Sequence, residues 1–254
     1  VTGVQTCALP ILEFIHIRKT GGTAIETFAK ERAGLLWGGV AIREGMRYER
    51  YWLDEERYKN ATRRKNIGNG KHIPPKFYVP YPFERVATFV VTRNPYDRAV
   101  SEYYQKLKGL KMRKEKGSAT LYPKRNDPDF MNQFIQKAML NPTDDQFIPQ
   151  HHYVFDDGNN EDDGGGITQR RRIITHVLEF DRLNEEFNAL MECYSIKDIR
   201  KGHEKETITM PSARAVNGRL KDAVLTRSNL TEDTIHAINE YFREDFELLG
   251  YPMM

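Results

Sequence analysis

The stretch Leu12-Glu13-Phe14-Ile15-His16-Ile17-Arg18-Lys19-Thr20-Gly21-Gly22-Thr23 decides the fold. It opens as a short, mostly apolar run of the length of a buried strand. Gly21-Gly22 breaks that run. Thr23-Ala24-Ile25-Glu26 then fits a capping box, with Thr23 as N-cap and Glu26 at the third helical position. Ile25, Phe28, Ala29 and Arg32 follow at helical spacing. The reading is strand, glycine turn, helix.

The pattern recurs downstream. Val86 to Thr92 is β-branched and nearly all apolar, as in a strand covered on both faces of a parallel sheet. Arg93 closes it, Asn94 is a cap, and Pro95 suits a first helical position. Ala99, Val100, Tyr103, Tyr104 and Leu107 mark the apolar face of the helix that follows. A third strand is expected at Ile173–Leu178, with Asp181 capping the next helix. A last helical pattern from Ile235 to Phe246 stops at Gly250-Tyr251-Pro252. Alternating strands and helices predict an α/β domain with a mostly parallel sheet.

Residues 1–11 lack the basic leader and long apolar core of a signal peptide. They read as a non-native or disordered leader, with a single domain over residues 12–254 and any anchoring segment expected upstream. Net charge is 39 − 36 = +3 from Lys+Arg and Asp+Glu, an excess suited to local anion sites rather than a nucleic-acid track. Cys7 and Cys193 exclude a disulfide-dense scaffold and a four-cysteine zinc site. The acidic, glycine-rich stretch Asp156–Gly166 misses the calcium-loop spacing and reads as a solvated loop. Six basic residues between Lys106 and Lys116 read as a solvated helix end, with contact to an acidic polymer as the sharper alternative. Trp37 to Pro82 resists assignment.

The first turn has the makings of an anion trap. Helix-start N–H groups have no internal partner and carry partial positive charge. Gly21 and Gly22 permit close backbone approach. Lys19 adds a full charge, and Thr20 and Thr23 add hydroxyls. It is not a nucleotide-triphosphatase loop, because its lysine precedes the glycines and no Gly-Lys-Ser/Thr order exists. Arg93 stands at the carboxyl end of the second strand, where open parallel sheets bind ligands. Ser101, on the next helix, is placed to share an anion with it. Two anion sites suit a nucleotide bearing phosphates on both its 5′ and 3′ sides.

Phe14 to Thr23 resembles the 5′-phosphosulfate loop of the sulfotransferases, and Val91 to Tyr104 resembles their 3′-phosphate motif. The match is nearest to the Golgi carbohydrate sulfotransferases, including the uronyl 2-O group. Weaker similarity runs through Pro149–Val154, Val177–Leu183 and Tyr241–Phe246. Arg18 departs from the family, which usually has proline there. The resemblance implies a P-loop-like three-layer αβα fold and the donor 3′-phosphoadenosine 5′-phosphosulfate, with no metal. It places Lys19, Thr20, Gly21, Gly22 and Thr23 on the 5′ side and Arg93 and Ser101 on the 3′-phosphate. Ser212 and Arg214, or Gly218 and Arg219, are candidates for a loop closing over the donor. The implied acceptor is a poly- or oligosaccharide, not a nucleic acid. For a eukaryotic source the implied location is the Golgi lumen, with a type II membrane anchor.

In-line sulfuryl transfer needs charge stabilisation on the leaving oxygen, for which Lys19 is the candidate. It also needs a base for the acceptor hydroxyl. His72, in Gly70-Lys71-His72-Ile73-Pro74-Pro75, is the candidate, because the uronyl 2-O enzymes use a histidine between the two phosphate motifs. Glu102 is the alternative base, or a salt-bridge partner. His151 and His152 read as core or surface residues or as lining of an acceptor groove, and His16 as packed within the first strand. Asn60-Ala61-Thr62 and Asn229-Leu230-Thr231 match the glycosylation pattern and permit a luminal location. Two other classes compete with the enzyme reading: a nucleotide kinase or triphosphatase with an altered loop, and a non-catalytic module binding acidic glycans.

Overall fold

A computed structural model of the protein describes residues 12–38, 52–62, 72–84, 86–115, 126–142, 147–157, 170–197 and 224–254. Among these, the strands are β1 (Leu12–Phe14), β2 (Trp52–Leu53), β3 (Tyr78–Val79), β4 (Ala87–Thr92) and β5 (His176–Glu179). The helices are α1 (Gly22–Phe28), α2 (Glu55–Thr62), α3 (Pro95–Glu115), α4 (Pro128–Leu140), α5 (His151–Val154), α6 (Leu183–Cys193), α7 (Glu232–Tyr241) and α8 (Arg243–Leu249).

The central sheet is parallel, in the order β1-β4-β5. Phe14 pairs with Phe89, and Phe89 with His176. The most apolar strand, β4, lies in the middle, as its lack of any polar face requires. Its side chains alternate between two cores. Phe89 and Val91 face α1 and α6, among Phe14, Ile25, Phe28, Phe187 and Met191. Val90 faces α2, α5 and segment 73–78, among Ile15, Tyr58, Phe77 and Tyr153. This is the α/β, three-layer arrangement. A third core joins α3, α4, α7 and α8 around Tyr96, Tyr103, Ile135, Phe242 and Phe246.

Several local expectations shift. The third strand begins at His176 rather than Ile173, because Ile173 bonds to Val154 outside the sheet. Asp181 is not a helix cap. It lies inside the 3-10 turn Phe180–Arg182 that leads into α6. The terminal helical pattern is broken at Phe242 into α7 and α8, and Gly250 ends it in the left-handed conformation, φ 74°. Part of the stretch that resisted assignment, Trp37 to Pro82, forms α2 and the β2-β3 antiparallel pair.

Candidate anion and transfer site

The carboxyl ends of β1 and β4 lie side by side, and the two sequence motifs meet there. After β1, Ile15 still donates to the Phe89 carbonyl at 2.9 Å. The chain then turns through two left-handed residues, Lys19 (φ 64°) and Gly21 (φ 88°), with Thr20 between them. Such alternation of φ sign bends successive N–H groups into an anion-binding concavity. A lysine in this conformation costs about 1–2 kcal/mol, so the loop must be held from outside. Two arginines hold it. Arg98 Nε donates to the Arg18 carbonyl at 3.1 Å and Nη2 to the Ile148 carbonyl at 2.8 Å. Arg93 Nη1 donates to the Lys19 carbonyl at 3.3 Å. Thr20 is buried and its hydroxyl donates to the Ile17 carbonyl at 2.8 Å, so its side chain shapes the loop.

The capping box is not formed. Helix α1 begins at Gly22, two residues early, and its N-cap Gly21 has no side chain to offer. Thr23 is exposed on the first turn. Glu26 reaches His16 instead, with its Oε1 2.9 Å from Nδ1. His16 is thus more than strand packing. A Cβ added to Gly22 would lie 2.1 Å from its ring, so the imidazole makes glycine obligatory at 22. Glycine at 21 has a different cause, the left-handed backbone, reinforced by Leu183 and Phe180 at 3.2 Å from a Cβ.

His72 packs onto this same loop. Its ring meets that of His16 edge-on, 4.6 Å between centroids, and its Nδ1 lies 3.2 Å from the His16 carbonyl. A carbonyl only accepts, so Nδ1 carries the hydrogen and Nε2 keeps its lone pair. Tyr153 donates its hydroxyl hydrogen to the His72 carbonyl and fixes the backbone. Burial, then the charges of His16 and Arg18, push the imidazole down to about 3. His72 is therefore a neutral imidazole whose Nε2 is left with its lone pair.

Arg93 leaves β4 with its guanidinium 4.4 Å above the Phe180 ring. Asn94 accepts the Tyr96 N–H at 3.0 Å, so α3 starts as its Asn-Pro signature predicts. Ser101 is half-buried on α3, one turn before Gln105, whose Oε1 accepts from Lys19 Nζ at 3.4 Å. Residues four apart share a helix face, so Ser101 stands on the face turned to the lysine loop. Glu102 is fully buried with its carboxylate 3.9 Å from Arg18 Nε. That burial and the neighbouring guanidinium fit the salt-bridge alternative. His151 and His152 are buried too, as the core reading has them. Burial, then the charge of His151, holds His152 well below the ordinary imidazole range.

Of the acidic stretch Asp156–Gly166, only Asp156 and Asp157 lie among the described residues, and both are paired. Arg57 reaches both, at 2.8 and 3.3 Å, and Lys76 pairs with Asp157. Both glycosylation-pattern triplets serve the fold. Thr62 is buried and donates to the Tyr58 carbonyl at 2.7 Å, while Asn229 Oδ1 accepts the Thr226 N–H at 2.9 Å. Ser212, Arg214, Gly218, Arg219 and Cys7 lie outside the described residues. Of the basic stretch, α3 continues helical to Glu115.

Sequence reasoning passed over Arg98, Gln150 and the His16–Glu26 pair. Arg98 and Gln150 stand inside stretches already singled out, Arg93–Ser101 and Pro149–Val154. Their burial is a tertiary fact that a charged or amide residue type argues against. Among the described residues no helix is long and apolar enough to cross a membrane, and no cluster of three or more His, Cys, Asp or Glu is arranged for a metal. Residues 12–252 match the family model described as "Sulfotransferase family". No curated protein and no solved structure matches the chain.

Proposed function

The chain belongs to the sulfotransferase family and is a transferase of sulfuryl groups, and we propose that it draws on 3′-phosphoadenosine 5′-phosphosulfate and sulfates a glycan hydroxyl. One observation carries the donor reading. Arg93, from the second motif, is hydrogen-bonded to the carbonyl of Lys19, in the first. The two motifs, each following one of two adjacent parallel strands, meet in that bond, which supports reading them as one site for a doubly phosphorylated nucleotide. The residues fit that ligand: a left-handed loop with required glycines, Lys19 beside it, and Arg93 over Phe180.

The bound donor supplies a sulfuryl group on a phosphate leaving group. Gly21, Gly22 and the neighbouring Thr20 and Thr23 cradle the 5′ side. Lys19 offsets negative charge building on the leaving oxygen. Arg93, with Ser101, takes the 3′-phosphate. His72 Nε2 accepts the proton of the acceptor hydroxyl as that oxygen bonds to sulfur. No metal takes part in this scheme. The glycan class, and with it a luminal location, follows the resemblance of the two motifs to the carbohydrate branch.

Labelled donor incubated with a panel of uronic-acid polysaccharides and neutral glycans tests the reading. Label is expected on a glycan, with loss in the Lys19→Ala and His72→Ala variants. Label appearing only on phenols or peptides would overturn the glycan assignment. No donor binding at all would overturn the nucleotide.

A further inference from the structure

Gln150, at the start of α5, is fully buried, and both ends of its side-chain amide meet the backbone of Arg93. Arg93 N–H donates to Gln150 Oε1 at 2.9 Å, and Gln150 Nε2 donates to the Arg93 carbonyl at 2.8 Å. An N–H requires an acceptor and a carbonyl a donor, so the orientation of the amide is fixed by its partners. The pair imitates a strand partner for the first residue beyond β4. Both peptide groups flanking the Arg93 Cα are held, which fixes the direction in which its side chain departs.

Asp245, on α8, holds Gln150 in turn. It is fully buried. Its Oδ2 accepts the Gln150 backbone N–H at 2.8 Å and lies 3.4 Å from Gln150 Nε2. Its Oδ1 accepts the His151 N–H at 2.8 Å and faces His151 Nδ1 at 2.9 Å. The far side of that imidazole meets Glu244 at 2.8 Å, and Arg170 caps Glu244. A buried carboxylate with this many partners is rigid. Gln150 itself meets the site at Arg93.

We infer that Gln150, braced by Asp245, is the positioning residue for Arg93 and sets the preference of the site for a 3′-phosphorylated nucleotide. The inference rests on Arg93 reading the 3′-phosphate, as proposed above. Losing a positioned charge-assisted contact changes affinity by on the order of tenfold or more. The change falls only on ligands that carry the 3′-phosphate.

Isothermal titration of adenosine 3′,5′-bisphosphate and of adenosine 5′-monophosphate is the test. It is made on wild type, Gln150→Leu, Asp245→Asn, Arg93→Ala and the Gln150→Leu/Arg93→Ala double variant. Wild type is expected to prefer the bisphosphate. Gln150→Leu is expected to lower that preference by about tenfold with monophosphate affinity unchanged. In the double variant the loss of preference should not exceed that of Arg93→Ala alone. Asp245→Asn, which keeps the shape and one acceptor oxygen, should lower the preference in the same direction and serves if Gln150→Leu does not fold. An unchanged preference in a folded variant, or equal loss for both nucleotides, overturns the inference while leaving the donor reading intact. A wild type indifferent to the 3′-phosphate removes the donor reading and the inference together.

Discussion

At the scale of a single residue, the proposed base is His72. Its Nδ1 hydrogen is committed to the His16 carbonyl, and burial holds the ring neutral down to about pH 3. In the ligand-free protein its NMR signal is therefore expected to stay flat between pH 5 and 8. A titration near 6.5 would contradict the placement. The folded value lies below the unfolded 6.5, so the unfolded chain takes up the proton first. This group's contribution to stability is full above about pH 6.5 and is lost as pH falls towards 3. His72→Ala is expected to cost about 10²–10⁴ in turnover, with donor affinity within a factor of about two because Lys19 and Arg93 remain. Loss below about tenfold would remove the base assignment. The sequence singles out His72 because it stands in a proline-bounded segment between the motifs. The imidazole it packs on is not legible there, since His16 in a strand pattern reads as packing until Glu26 is seen to reach it.

At the scale of the element, the β1–α1 turn is decided by contacts its own sequence does not contain. Strand, glycine turn and helix were readable from apolar spacing. The cap was not, because Glu26 had two partners to choose between and His16 won. Gly22→Ala should clash with the His16 ring and destabilise by about 1–3 kcal/mol. Adding His16→Ala should restore most of that loss, measured as the midpoint of thermal unfolding. Strict additivity of the two substitutions would show that the ring is not what excludes a side chain at 22. The strand before the turn carries a second test. Glu13 has a buried carboxylate oxygen, Oε2, without a hydrogen-bond partner among the described residues, and burial pushes the group up to about 7. The unfolded chain ionises first, near 4.5, so stability falls as pH rises from about 4.5 to 7. Glu13→Gln should unfold at a higher temperature than wild type at pH 8 and at the same temperature at pH 4. A difference that does not change with pH would contradict this.

Over the whole molecule, a three-strand parallel sheet brings two loops together that are more than seventy residues apart in the chain. The order and spacing of the two motifs made that meeting legible. Each motif follows an apolar strand, and parallel strands put their carboxyl ends on one edge. The supports behind them were not legible, because Arg98, Gln150 and Asp245 act through burial and through partners about fifty to ninety-five residues away. The most direct test of the account is thermal stabilisation by adenosine 3′,5′-bisphosphate without metal, with ATP and magnesium as comparison. At 100 times its dissociation constant a ligand adds about 2.7 kcal/mol, which for a chain of this size raises the midpoint by roughly 5–11 °C. The account predicts that rise for the bisphosphate alone and its loss in Lys19→Ala and Arg93→Ala. A rise with ATP and magnesium but none with the bisphosphate would contradict it.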